Sequence, residues 1–246
     1  VRPGGRFIFK EEPMNHRSLI TALLVCAAPL GAYATPSTQI WIPSTDIQKA
    51  GTFHLNVNNY VSSGRETSGP WRAHLFMVCP TAGLFDAGKV QAEAGLHLMR
   101  SGAAADAAPL YFKASPAFAL GGYNFGTRKD VTDQNIVCAL AARTVAKLGR
   151  FSAGYYAGNG KVLVDEKGAK ADNGLLLSWD RCIPEVSDKL WAAVDYQGGR
   201  SAMGALSFGV SWAFSDNTSV LLGYDVYNNA KVAGKDTYTV QLDINF

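Results

Sequence analysis

Acid–base or nucleophilic chemistry needs an activated side chain with a partner in reach. The residues that could supply one here are few. Downstream of Ala34 the only histidines are His54, His74 and His97. The cysteines of that stretch are Cys79, Cys138 and Cys182, an odd number whose spacing matches no metal-binding pattern. At most one intramolecular disulfide can form among them, and isolated small apolar residues are the simpler account of all three. His54 lies in "TFHLN" and His97 in "GLHLM", and no nucleophile motif surrounds either. The expectation is therefore no catalytic residue, no metal ligand and no cofactor.

A second set of residues could act through charge. Lys89, Glu93, His97, Arg143, Arg150, Asp180, Lys189, Asp195, Asp225 and Asp243 occur on one alternating side of extended, partly apolar segments. If the opposite sides face lipid, these residues line an aqueous lumen. There they either pair with one another or tune the passage of solutes, and their mixed sign predicts weak ion selectivity. Overall charge adds little. The whole chain has 23 basic and 20 acidic residues, and residues 1–34 hold four and two of these, so 19 oppose 18 in the remainder. That balance gives no electrostatic case for nucleic acid.

The elements that must position these residues follow from a period of two. Phe53, Leu55 and Val57 alternate with His54, Asn56 and Asn58. Val90, Ala92, Ala94, Leu96 and Leu98 alternate with Lys89, Gln91, Glu93, Gly95, His97 and Met99. Further segments fall near 70–79, 109–115 and 117–126, and Ile136, Cys138, Leu140 and Ala142 mark another apolar side. Beyond residue 149 the alternation is regular, as in Leu206, Phe208, Val210, Trp212 and Phe214 against Ala205, Ser207, Gly209, Ser211 and Ala213. About twelve such strands are expected, with ten or fourteen as alternatives, each near the ~9–11 residues that cross a bilayer as tilted β.

Connections are expected to alternate in length. Long ones fall near 61–70, 101–108, 127–134, 159–173 and 228–236, and short ones near 80–88, 115–116, 146–149 and 215–217. The stretches 182–188 and 197–201 fit that rhythm less well. Charged residues are only 17% of the chain, against about 25% in ordinary globular proteins, and mean hydropathy is +0.00. Small polar residues on one side of the late strands, and aromatics near strand ends, favour an all-β, antiparallel, up-and-down transmembrane barrel over a secreted sandwich.

The two ends carry further signals. From Met14, "MNHRSLITALLVCAAPLGAYATPS" has a basic start, an apolar stretch from Leu19 to Leu30, and an Ala-x-Ala site for cleavage between Ala34 and Thr35. These are the parts of a secretory signal peptide over residues 14–34. Residues 1–13 read as an upstream extension from an over-long gene prediction. At the other end, "YTVQLDINF" places Tyr238, Val240, Leu242, Ile244 and Phe246 on one side.

That last strand, closing on Phe246, resembles the C-terminal signature of bacterial outer-membrane β-barrel proteins. The resemblance implies residence in the bacterial outer membrane after signal-peptide export, among outer-membrane lipid and lipopolysaccharide. It also implies handling by periplasmic chaperones and the barrel-assembly machinery, with Tyr238, Val240, Leu242, Ile244 and Phe246 as the assembly signal. It identifies no porin subfamily and no oligomeric state.

Residues 51–246 are thus expected to form the barrel, and residues 35–50 a periplasmic lead-in or a lumen segment. The charged stretch 159–173 sets its lysines against Asp165, Glu166 and Asp172, and reads as a solvated loop able to meet lipopolysaccharide phosphates. The expected function is a porin-like passive channel for small polar solutes. A closed structural or surface-binding barrel is the second reading, and a lipid-modifying outer-membrane enzyme the third.

Overall fold

The alternation folds into one closed antiparallel sheet. A computed structural model describes residues 38–64, 74–88, 90–101, 104–106, 110–115 and 118–246. The signal segment, the Ala34–Thr35 pair, residues 1–13 and Lys89 lie outside them. The strands are β1 (Phe53–Ser62), β2 (His74–Asp86), β3 (Gln91–Leu96), β4 (Leu98–Ser101), β5 (Ala104–Asp106), β6 (Leu110–Ser115) and β7 (Phe118–Phe125). They continue as β8 (Asp133–Val145), β9 (Gly149–Ala157), β10 (Asn173–Cys182), β11 (Leu190–Gln197), β12 (Ala205–Ser215), β13 (Thr218–Tyr227) and β14 (Thr237–Asn245).

Two pairs of these segments are halves of single staves. β3 and β4 flank His97 and pair with successive parts of β2, while β6 pairs with β3 and β5 with β4. The barrel therefore has twelve staves. β1 closes it, bonded to β14 from His54↔Asn245 to Ser62↔Thr237 and to β2 from Phe53↔Ala82 to Val61↔His74. Backbone bonds between Phe53 and Phe246, at 3.2 and 2.8 Å, extend that seam past the last strand residue.

The connections show two departures from the sequence expectation. β2 runs on through Asp86, so the expected turn at 80–88 shrinks to the bend closed by Ala87 N–H on Val90 O. The expected long loop at 101–108 is entered by paired strand, Met99↔Asp106 and Ser101↔Ala104. Elsewhere the long connections, including 158–172 and 228–236, gather at one end and the short turns at the other.

The two faces are inverted relative to a water-soluble barrel. Outside, Leu175, Phe208, Val210, Leu222 and Val240 are exposed. Inside, Asn56, Ser178, Asp195, Ser207, Thr239 and Gln241 are buried. An apolar outer belt around a polar interior is stable where hydrocarbon is the solvent, since lipid leaves every backbone polar group to be satisfied within the sheet.

β8 breaks the expected assignment. Ile136, Cys138 and Leu140 point inward and are buried, so the outward side carries Val137, Ala139, Ala141 and Arg143. The cause is a local apolar patch inside the barrel, where these residues pack with Ile42, Tyr156, Leu163 and Leu176.

The outer belt gives a direct check. Leu222 is 56% exposed in mid-strand. Leu222→Arg should lower refolding stability in phospholipid vesicles by about 2–4 kcal/mol, the cost of a cation against mid-bilayer lipid. Urea titration of refolded protein measures it. A change below about 0.5 kcal/mol would mean that this surface faces water.

Candidate functional site: the lumen and its inserted segment

The residues preceding β1 enter the barrel. Gln39, Ile40, Ile42, Ser44, Thr45 and Gln48 are all buried. Near the short-turn end the segment runs beside β2, where Ala50 bridges Gly83 in parallel and Gly51 N–H donates to Gly83 O at 3.0 Å. Gly83 permits this approach, because a Cβ there would stand 2.1 Å from the Lys49 carbonyl oxygen. From there the segment climbs to the long-loop end, where Trp41 Nε1 donates to Met203 O at 2.8 Å.

Side chains of the barrel wall hold it at successive heights. Low in the barrel, Gln48 N–H donates to Glu93 Oε2 at 2.6 Å, and Lys113 Nζ lies 3.1 Å from Glu93 Oε1. Opposite them Arg150 makes a forked pair with Asp46, one branch being Nη2 to Oδ2 at 2.7 Å. Its Nε also donates to Asp180 Oδ1 at 2.9 Å. Asp180 takes a further bond from Gln39 Nε2 at 2.9 Å. Such paired, hydrogen-bonded groups are the form in which charge survives burial.

Higher up, the chain turns over residues 39–42, closed by Gln39 N–H on Ile42 O at 2.7 Å. The turn points its next amides at one carboxylate oxygen. Ile40 N–H and Trp41 N–H donate to Asp195 Oδ2 at 2.7 and 2.9 Å, with Ile42 N at 3.4 Å. Converging amides of this kind form a concave anion site, here filled by the protein's own aspartate. On the other side Gln241 Nε2 donates to Ile40 O at 2.8 Å.

Of the lumen residues expected from sequence, Glu93, His97, Arg150, Asp180, Asp195, Asp225 and Asp243 lie on the inner side. Glu93, Arg150, Asp180 and Asp195 bond the inserted segment. Asp243 instead bonds β1, accepting from Asn56 Nδ2 at 2.7 Å with His54 Nε2 at 3.2 Å. Asp225 accepts from Thr237 Oγ1 at 2.9 Å. His97 Nδ1 is 3.4 Å from Asn124 Oδ1.

Two expected residues stand elsewhere. Arg143 is exposed and shares the outward side of β8, paired opposite Phe151. Alternation turns it inward only if Ile136 and Leu140 face lipid, and the inner patch reverses that strand. Lys189 is exposed in the connection before β11, one residue short of the sheet.

The charged stretch 159–173 is a correction of another kind. It folds against the rim and is not a free solvated loop. Leu163 is 1% exposed and joins the inner patch. Glu166 accepts from Arg200 Nη2 at 2.9 Å and from Asn229 Nδ2 at 2.7 Å, tying three long connections together. Of the expected assembly residues, Tyr238, Val240, Leu242 and Ile244 lie on the outward side of β14, and Phe246 follows at the seam.

Sequence reasoning missed Lys113, Asp46 and the 39–42 turn. Lys113 had a signal, because inward Glu93 needs a cation and position 113 has inward parity on the neighbouring stave, directly across from it. Asp46 and the turn had none, since an irregular segment carries no period from which to read its partners.

Comparison with solved structures finds low similarity to two porins and a third membrane protein. The NanC porin is 11% identical with a TM-score of 0.43, over 78% of this chain and 98% of that chain. The KdgM porin is 9% identical with a TM-score of 0.42, over 78% and 99%. A chain from work on in-meso crystallization of membrane proteins is 12% identical with a TM-score of 0.46, over 78% and 83%. No family model matches the chain, and no curated protein matches its sequence. The reading of the lumen rests on its own geometry.

Asp195 offers the sharpest test of that geometry. Asp195→Ala leaves two or three amides of the segment without an acceptor, and a buried donor left unsatisfied costs about 1–3 kcal/mol. Hydrogen exchange at Ile40 and Trp41 should accelerate by at least about tenfold, while amides of β12–β14 stay within about twofold. Mass-resolved exchange on detergent-folded protein reads both.

Proposed function

We propose that this chain is an outer-membrane barrel of the channel type, exported by its leader, whose path for small polar solutes is closed at rest by residues 38–50. One observation carries the reading. Four of the charged groups that would line an open pore are bonded to the inserted segment, with Glu93, Asp180 and Asp195 each accepting from it and Arg150 gripping its Asp46.

The closure is held by hydrogen bonds, one guanidinium–carboxylate pair and the packing of Ile40 and Ile42. Each polar contact contributes about 1 kcal/mol net, somewhat more where charge assists. A segment held this way is firm on average and able to leave when its partners are challenged. The backbone bonding of the sheet does not depend on it, because the strands satisfy one another.

A closed structural barrel with a surface role is the second reading, favoured by the knitting of Glu166, Arg200 and Asn229 across the rim. Planar-bilayer recordings separate the two. The full chain should show rare, brief openings, and a chain lacking residues 38–50 should conduct steadily, with open probability raised at least about tenfold. Heat-modifiable gel mobility confirms that both are folded. A folded deletion variant that passes no current overturns the channel reading, and equal conductance in both overturns the segment as its gate.

A further inference from the structure

Withdrawal of residues 38–50 would leave a lumen whose charges are unevenly spread. On the wall from β3 to β10, below the long-loop rim, the described acids, lysines and arginines that face inward are Glu93, Lys113, Arg150 and Asp180. They cancel in place. Lys113 Nζ lies 3.1 Å from Glu93 Oε1, and Arg150 Nε bonds Asp180 Oδ1 at 2.9 Å. The wall from β11 to β14 is different. Its four strands contain Asp195, Asp225 and Asp243, all buried on the inner side, and no lysine or arginine. Two cations that alternation would turn inward do not offset them, since Arg143 is exposed on the outer side of β8 and Lys189 is exposed before β11.

Asp195 and Asp225 share one row of the sheet. Asp195 pairs with Ser207, and Ser207 with Asp225, which sets the two aspartates two staves or about 10 Å apart. Asp195 is 1% exposed and Asp225 fully buried, and Oδ1 of each lacks a hydrogen-bond donor. The donors to Asp195 Oδ2 are Ile40, Trp41 and Ile42, all in the inserted segment. Asp225 Oδ2 accepts from the neutral hydroxyl of Thr237. Asp243, nearer the short-turn end, has His54 Nε2 at 3.2 Å, so a proton on His54 would cancel it and still leave Asp195 and Asp225 without a cation. When the segment leaves, Asp195 loses those amides, and water with its mobile ions takes their place.

We infer that the lumen opened by withdrawal of residues 38–50 passes small cations in preference to anions, with Asp195 and Asp225 as the selecting residues. In water a carboxylate is ionised at neutral pH. Fixed charge of one sign along a narrow path between low-dielectric walls concentrates the opposite ion and repels its own. The solute class is therefore small inorganic cations and compact amines. This deepens the channel reading and rests on it.

Reversal potentials in planar bilayers under a KCl gradient test it. With the more concentrated side at about 0.1 M, screening extends about 10 Å, so the wall acts on an ion passing beside it. The chain lacking residues 38–50 should pass K+ at least about fivefold more readily than Cl−, and the brief openings of the full chain should share that preference. Asp195→Asn together with Asp225→Asn should bring the ratio below about twofold, while Asp130→Asn, on the exposed connection between β7 and β8, should leave it within about 1.5-fold. If the deletion variant fails the mobility test for folding, the openings of the full chain carry the measurement. A current that favours Cl− or neither ion overturns the selectivity and leaves the channel standing. A folded double variant with an unchanged ratio does the same, and so does an Asp130→Asn loss as large as that of the pair. A folded deletion variant without current overturns the channel reading and this inference with it.

Discussion

A sheet in hydrocarbon can leave no edge, and the rest of this molecule depends on how that condition is met. Water is absent to receive a free amide or carbonyl, so β1 must be bonded on both sides, to β14 and to β2. Closure fixes which residues face lipid, because side chains alternate strictly along every stave. An even number of staves also brings both ends of the sheet to the same rim. The segment before β1 therefore starts where the short turns are, at the mouth of the cylinder it enters.

The interior then has to be built without the usual apolar core. Lipid takes the apolar side of most strands, leaving Ser, Thr, Asn, Gln and Asp to face one another across the lumen. Polar groups of that kind are stable only when paired. Much of the pairing comes from the sequence "TQIWIPSTDIQKA", which brings amides, carboxamides and a carboxylate to match those of the wall. Two of its three isoleucines divide the work. Ile42 meets Ile136, Leu140 and Leu176, and Ile40 meets Ala193 and Leu221. The lumen is thus a small protein core with a polar majority, wrapped in a sheet whose outer side belongs to the membrane.

Strand periodicity made most of this legible in advance. In β1, β3 and β9–β14 each inward and outward side follows from the alternation alone, and the aspartates Asp180, Asp195, Asp225 and Asp243 fall inward as parity requires. β8 could not be read that way. Its apolar side, Ile136 to Leu140, looks lipid-facing until Ile42 and Leu163 are known to lie within, and Arg143 was misplaced with it. The stretch 159–173 misled for a similar reason, since its charges hide Leu163, whose burial depends on neighbours far away in sequence. Periodicity reports that a side is apolar. It cannot report which apolar medium, lipid or inserted protein, that side will meet.

The inserted segment also bears on the order in which the molecule is made. The seam joins residues as distant as His54 and Asn245, 191 positions apart, whereas most other staves pair with their chain neighbours. Contacts of such long separation form late, because the intervening chain must first surrender its freedom. Residues 38–50 are continuous with β1, one side of that seam, and they already carry partners for β3, β9, β10 and β11. They stand where a mandrel stands in the coiling of a tube: a short inner rod that gives a curling sheet something to curl around before its edges meet.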